Sequence, residues 1–315
     1  MNEVATRDAY GKALEELGHE RSDIIVLDAD LSGSTKTGVF AKSFPHRFFN
    51  VGVAEQDLMA TAAGFACMGK TVFASTFAVF ATGRAWEPIR QSIAYPHLNV
   101  KVAASHAGLT VGEDGASHQA LEDIALMRVL PNVSVFVPAD AVETREVVRV
   151  AAATDGPCYI RLSRAKSKVL FDAASYRFEI GKATVLKEGQ EIAIFACGIM
   201  VAEALAVAEI VESHGFSASV VNVASIKPLD RETVVRVASR ATLVVTLEEH
   251  SIIGGLGSAI CECLSELLPR RVYRIGMRDT FGQSGPAPEL LAHYRLTAPF
   301  IAEDILTVVR SESPL

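Results

Sequence analysis

Short apolar runs alternate with helical patterns along almost the whole chain. Runs rich in β-branched residues predict strands at Ile24–Asp28, Phe48–Val51, Val72–Ala74, Val100–Ala104, Val133–Val137 and Cys158–Leu162. Helical spacing predicts intervening helices near Asp8–Leu17, Glu55–Cys67, Ala81–Ala94, Leu121–Val129 and Ala141–Ala153. Asp140 and Glu143 stand at capping-box spacing, which satisfies two orphan amides at a helix start. Segments such as DIIVL (23–27) and SVFVP (134–138) lack strict alternation, as strands buried on both faces of a parallel sheet do. The alternation implies right-handed βαβ units and an open, doubly wound α/β domain with a mostly parallel sheet.

After Arg164 the pattern breaks. Residues 165–189 are polar, with Lys166, Lys168, Lys182 and Lys187, and read as a linker. Strands at Ile192–Ala196, Ser219–Val223, Leu243–Leu247 and Val272–Ile275 then alternate with helices at Val201–His214, Arg231–Ser239 and Gly257–Leu268. A last helix is expected near Ile301–Val309. The expected organisation is therefore a first α/β domain (1–164), a linker (165–189) and a smaller α/β domain (190–315).

Composition narrows the function class. The 315 residues are 50% hydrophobic, and 30 Lys plus Arg against 37 Asp plus Glu give a net charge of −7. A mildly acidic chain without a basic block argues against nucleic acid or an anionic membrane as partner. Cys67, Cys158, Cys197, Cys261 and Cys263 are scattered without a C-x-x-C pair, which reads as reduced thiols of a cytoplasmic protein. The opening residues are charged where a signal peptide needs an apolar stretch, and the apolar run Ile192–Ala202 meets Glu203 too early to span a bilayer. By composition alone, the chain reads as a whole soluble enzyme.

The segment Ser105–Gln119 (SHAGLTVGEDGASHQ) carries the densest chemistry. Three glycines permit tight turns, and His106, Glu113, Asp114 and His118 supply ionisable groups beyond a strand's carboxyl end, where open α/β sheets place ligands. Its histidines and carboxylates lack a metal-ligand spacing, so no metal site is read in this chain. Glu55 opens a helix, for which the macrodipole alone is a sufficient reason. Phe77 and Phe80 share one helix face, suited to core packing or to stacking on a planar ring. Gly254, Gly255 and Gly257 precede a helix and fit either phosphate cradling or close helix–strand packing.

Together, AEQ (54–56), STFAVF (75–80), VGEDGASHQ (111–119) and IRLSR (160–164) resemble transketolase, and the chain resembles the C-terminal subunit of a split transketolase over essentially its whole length. IKPLD (226–230) and EEHSIIGGLGSA (248–259) fall where the family's C-terminal domain has such segments. The resemblance implies a pyrimidine-binding domain of a thiamine-diphosphate enzyme, followed by that C-terminal domain. It implies that Glu55 donates a proton to the pyrimidine ring of thiamine diphosphate. That role needs a carboxyl kept protonated, with apolar neighbours outweighing the helix dipole. It implies an aromatic wall of Phe77 and Phe80, with Gly83 where larger transketolases carry a further aromatic, and Asp30 close to the cofactor and the dimer contact. Arg7, Ser34, His106 and Arg164 match a sugar-phosphate group, chemically apt for a dianion. Asp114 matches a reader of a substrate hydroxyl, and His118 a residue near the reacting carbonyl. Arg84 and Arg161 are expected in surface or structural pairing.

The implied activity is transfer of a two-carbon ketol unit from a ketose phosphate to an aldose phosphate, as in pentose phosphate metabolism. Relatives differ in the same motifs. 1-Deoxy-xylulose-5-phosphate synthases carry Asp-Arg where this chain has Ser105-His106, and β subunits of 2-oxoacid dehydrogenases lack VGEDG-x-x-HQ. A regulatory α/β module is the non-enzymatic alternative. The family's G-D-G…N diphosphate and metal motif is missing here. An N-terminal transketolase subunit is therefore expected to bring the diphosphate site and most of the Mg2+ (or Ca2+) ligation, in an α2β2 assembly.

Overall fold

The computed structural model describes residues 3–312. Seven strands form the first sheet in the order Ser225–Lys227, Ser134–Phe136, Cys158–Arg161, Val100–Ala104, Thr71–Ser75, Ile24–Asp28, Phe48–Asn50. All pairings are parallel except that of Ser225–Lys227. Every residue of Ile24–Asp28, Thr71–Ser75 and Val100–Ala104 is buried, which explains their unbroken apolar runs: helices cover both faces.

A second sheet runs Val272–Met277, Leu243–Ser251, Ile192–Ala196, Ala218–Asn222, Thr184–Lys187, with only the last strand antiparallel. It packs against Met200–Ser213 and Ala298–Glu312 on one side. Helices Glu55–Cys67 and Ala141–Ala153 coincide with their expected limits. At the latter, Asp140 accepts from the Glu143 amide (2.8 Å) as expected, while Glu143 reaches one residue past the N-cap and accepts from the Ala139 amide (2.7 Å).

Three expectations need correction. The segment 165–189, expected as a linker, contains the strand Lys166–Lys168, paired with Glu3–Ala5, and the strand Thr184–Lys187, an edge of the second sheet. The expected helix Ala81–Ala94 is wound as π-helix at Phe80–Arg84 and Ile89–Ala94, around a short α-turn at Trp86–Pro88. Such widened turns concentrate at functional sites. Thirdly, Ser225–Lys227 crosses over to complete the first sheet, so the two α/β units are stitched together by backbone pairing.

The parallel order has one consequence for function. Five adjacent strands end at the same rim, and the next residues of each are Leu162–Arg164, Ser105–Gln119, Thr76–Phe80, Ala29–Ser34 and Val51–Glu55. Nearly every candidate residue is delivered to that rim by the sheet itself.

Candidate active site

Glu55 opens its helix with its side chain only 2% exposed. Both carboxylate oxygens accept from Nη1 of Arg84, each at 3.0 Å. Its surroundings are therefore not only apolar: a guanidinium sits on it. The same guanidinium lies 4.8 Å over the Phe80 ring. Phe77, which is buried, and Phe80 stack with ring centroids 5.9 Å apart at 11°, forming an aromatic wall.

The wall continues into the histidines. His106 stacks on Phe77 at 3.8 Å, and His118 meets Phe77 and Phe80 edge-on at 6.2 and 5.5 Å. His106 is buried, with Nε2 3.1 Å from Nη1 of Arg7 and Nδ1 2.9 Å from the Ser105 hydroxyl. Because guanidinium can only donate, Nε2 is the acceptor and the ring proton sits on Nδ1, toward Ser105. Burial, and next to it the charges of Arg7 and Arg164, push the His106 imidazolium down to about 3.

The sign of that shift sets a pH dependence. The unfolded chain binds a proton near pH 6.5 that the folded chain refuses until about 3. Stability from this group is thus complete above pH 6.5 and falls by about 1.4 kcal/mol per pH unit below it. His106→Gln is expected to flatten the acid limb of the unfolding free energy by one proton's slope, read by urea unfolding between pH 6.5 and 4.5. An unchanged slope would place a charged His106 in the folded state.

Arg7 also donates to the Ser34 carbonyl (3.1 Å), and its Nε is buried without a partner. Arg164 donates from Nη1 to Glu113 (2.8 Å) and to the Val111 carbonyl, and lies 4.0 Å from Asp114. Lys36, held by Asp8 at 3.4 Å, is a third cation whose charge reaches His106. It went unread in the sequence because it follows a four-residue helix, Ser32–Thr35, that has no periodic signal. Arg7, Ser34, His106, Arg164 and Asp114 thus come together at one end of the wall, and Glu55 with Arg84 at the other. Asp30 stands apart: exposed, it exchanges hydrogen bonds with Asn50 (3.0 and 2.9 Å) at the strand ends.

The loop between is held from the second sheet. Glu249 accepts from the Thr110 amide (3.1 Å) and hydroxyl (2.8 Å), and Gly108, at φ 83°, leaves room for that carboxylate where a Cβ would lie 2.4 Å from its carbon. Arg161 is buried, not on the surface: it binds Asp123 (2.7 Å) and faces Glu249 at 3.8 Å, while Tyr159 also donates to Asp123 (2.7 Å). Asp123→Ala would strand the guanidinium in the interior and is expected to cost about 3–5 kcal/mol, measurable as a drop in the urea midpoint. A loss under 1 kcal/mol would mean water reaches Arg161.

The phosphate-cradle reading of Gly254–Gly257 is also corrected. The amides of Leu256 and Gly257 donate to Glu248 (2.7 and 2.8 Å), so an internal carboxylate already occupies that helix start. Gly255 has no side chain because Glu248 fills the space: its Cβ would lie 2.0 Å from the carboxylate.

With this geometry in place, comparison with known proteins is decisive. Residues 2–168 match the model of the transketolase pyrimidine binding domain, and residues 181–301 that of the transketolase C-terminal domain. The chain belongs to the transketolase family. It is 50% identical over 308 residues to a Methanocaldococcus jannaschii protein named "Putative transketolase C-terminal section", covering 97% of this chain and 96% of that one. It is 42% identical over 298 residues to a 6-deoxy-6-sulfo-D-fructose transketolase subunit of a Clostridium species, covering 95% and 92%. A solved split-gene transketolase, described as an inactive β4 tetramer, superposes with a TM-score of 0.90 at 57% identity, covering 96% and 98%. The chain thus carries the family's pyrimidine-binding and C-terminal domains, and it matches these relatives of split type over nearly their whole length. Among the described residues no helix is long and apolar enough to cross a membrane.

Proposed function

We propose that this subunit supplies the pyrimidine-activating and substrate-reading half of a thiamine-diphosphate-dependent transketolase. It would move a two-carbon ketol unit from a ketose phosphate to an aldose phosphate in an α2β2 assembly, its partner holding the diphosphate and its Mg2+ or Ca2+. In this reading residues 1–164 carry the reacting groups, and the second sheet, whose edge strand lies within residues 165–189, buttresses the loop. The observation that carries it is the unbroken series of contacts from Glu55 through Arg84, Phe80 and Phe77 to His106 and Arg7.

The residues fit the cofactor's ring. A buried carboxyl beside two stacked phenyl rings matches a flat heteroaromatic with an edge nitrogen, whose face gains about 0.5–1.5 kcal/mol from offset stacking. When bound, thiamine diphosphate supplies the nucleophilic carbon that carries the two-carbon unit. Glu55 would hold a proton on the ring nitrogen, and Phe77 and Phe80 would fix the ring plane. His118, whose Nδ1 is taken by Ser117 (2.9 Å), presents Nε2 for proton transfer at the substrate's oxygens. Asp114 would accept from a substrate hydroxyl. Arg7, Arg164 and Ser34, with His106 beside Arg7, would receive the anionic terminus.

Two relations support the assembly and substrate class. The superposable β4 tetramer is described as inactive, which fits a subunit without a complete cofactor site. The Clostridium relative's named substrate carries a sulfo group, an anion such a cationic end would also accept. The test is a donor panel for the chain mixed with its diphosphate-binding subunit. Ketose phosphates should yield ketol transfer to aldose phosphates, and pyruvate should yield none. Pyruvate-dependent condensation would instead support the 1-deoxy-xylulose-5-phosphate synthase reading.

A further inference from the structure

Arg84 occupies the two surfaces that a cofactor ring needs. Its Nη1 sits on both oxygens of Glu55, and its guanidinium lies 4.8 Å over the Phe80 ring. Glu55 is 2% exposed but the Arg84 side chain is 52% exposed, so one partner is fixed in the interior and the other is free to leave by side-chain rotation. The backbone around Arg84 is built to allow this. It closes the π-turn Phe80–Arg84, follows Gly83, whose surroundings are open, and is tied to the Glu55 helix by Gln56 donating to its carbonyl (3.1 Å). The hydrogen bond from Gln56 holds the main chain in place whichever way the side chain points.

We propose, resting on the cofactor reading above, that Arg84 is a latch: it neutralises Glu55 while the ring site is vacant and must swing off both Glu55 and Phe80 before a pyrimidine can enter. A buried carboxylate without a partner is costly, and Arg84 supplies that partner when no pyrimidine is bound. Arg84 meets that need with a contact that half-exposed solvent keeps weak enough to break. The latched arrangement lowers apparent cofactor affinity by the fraction of time the site is covered. A site without the latch begins in its binding-competent form.

The test is calorimetric titration of thiamine diphosphate into the complex of this chain with its diphosphate-binding subunit. Arg84→Gln is expected to tighten cofactor binding by about 5- to 50-fold, and to raise the association rate measured by stopped-flow fluorescence. Arg84→Lys, which retains the cation, should stay within about twofold of the parent. In a Glu55→Gln background the gain from Arg84→Gln should shrink to below about threefold, because only the contact over Phe80 is left to break. Unchanged or weaker binding by Arg84→Gln, with normal binding by the parent, overturns the latch and leaves the cofactor reading intact. Absence of thiamine diphosphate binding by the parent complex overturns both. Thermal melts of each variant establish that it is folded before it is titrated.

Discussion

Glu55→Ala is expected to lower kcat of the assembled enzyme by about 10²–10⁴-fold, the range for losing a positioned acid–base group. Little loss of fold should accompany it. The substitution removes a buried carboxylate whose oxygens accept from one half-exposed guanidinium, and Arg84 can return to water. The kinetic loss should appear in kcat and kcat/KM alike if, as proposed, the group serves the reacting cofactor and not the sugar. Deuterium exchange at the reactive carbon of bound thiamine diphosphate gives an independent readout, since it needs no sugar. Exchange and turnover within threefold of the parent would remove Glu55 from the chemistry.

At the other end of the wall, Arg7→Ala is expected to weaken phosphorylated substrates by about 10- to 100-fold. That range corresponds to about 1.5–3 kcal/mol for hydrogen bonds to a charged group. The loss should fall on KM for sugar phosphates and spare unphosphorylated analogues. Arg7 is the better placed of the two arginines. Its contacts are to a carbonyl and to a neutral imidazole, whereas Arg164 is already engaged by Glu113 and Val111. An anion arriving at Arg7 displaces no carboxylate; at Arg164 it competes with one. Arg164→Ala should therefore have the smaller effect. Equal losses for phosphorylated and unphosphorylated sugars would show that Arg7 shapes the loop instead of binding the terminus.

Much of this arrangement was legible in the sequence because it rests on local signals. Parallel strands buried on both faces write themselves as unbroken apolar runs, and their carboxyl ends place the loops that follow on one rim. Glu55, Phe77, Phe80 and His106 lie just beyond such ends, but for Glu55 and the two phenylalanines it is the resemblance to transketolase, not local pattern, that singles them out. Contacts made at long range left no such trace. The Glu55–Arg84 pair spans 29 residues and the Thr110–Glu249 contact 139, and neither has a periodicity. The strands at Lys166–Lys168 and Thr184–Lys187 are short because each is an edge, and only their distant partners define them. A π-turn adds one residue per turn and so erases the helical spacing that predicted Ala81–Ala94 as a regular helix. Arg84 sits inside that irregular stretch.

The central claim is that this chain holds one half of a cofactor site and is completed by another chain. Its most direct test is turnover of a ketose phosphate with thiamine diphosphate, Mg2+ and an aldose phosphate, measured for this chain alone, for the diphosphate-binding subunit alone, and for the two mixed across stoichiometries. The expected result is no turnover by either chain, with activity rising on mixing and reaching its plateau at one to one. Full turnover by this chain alone would contradict the account.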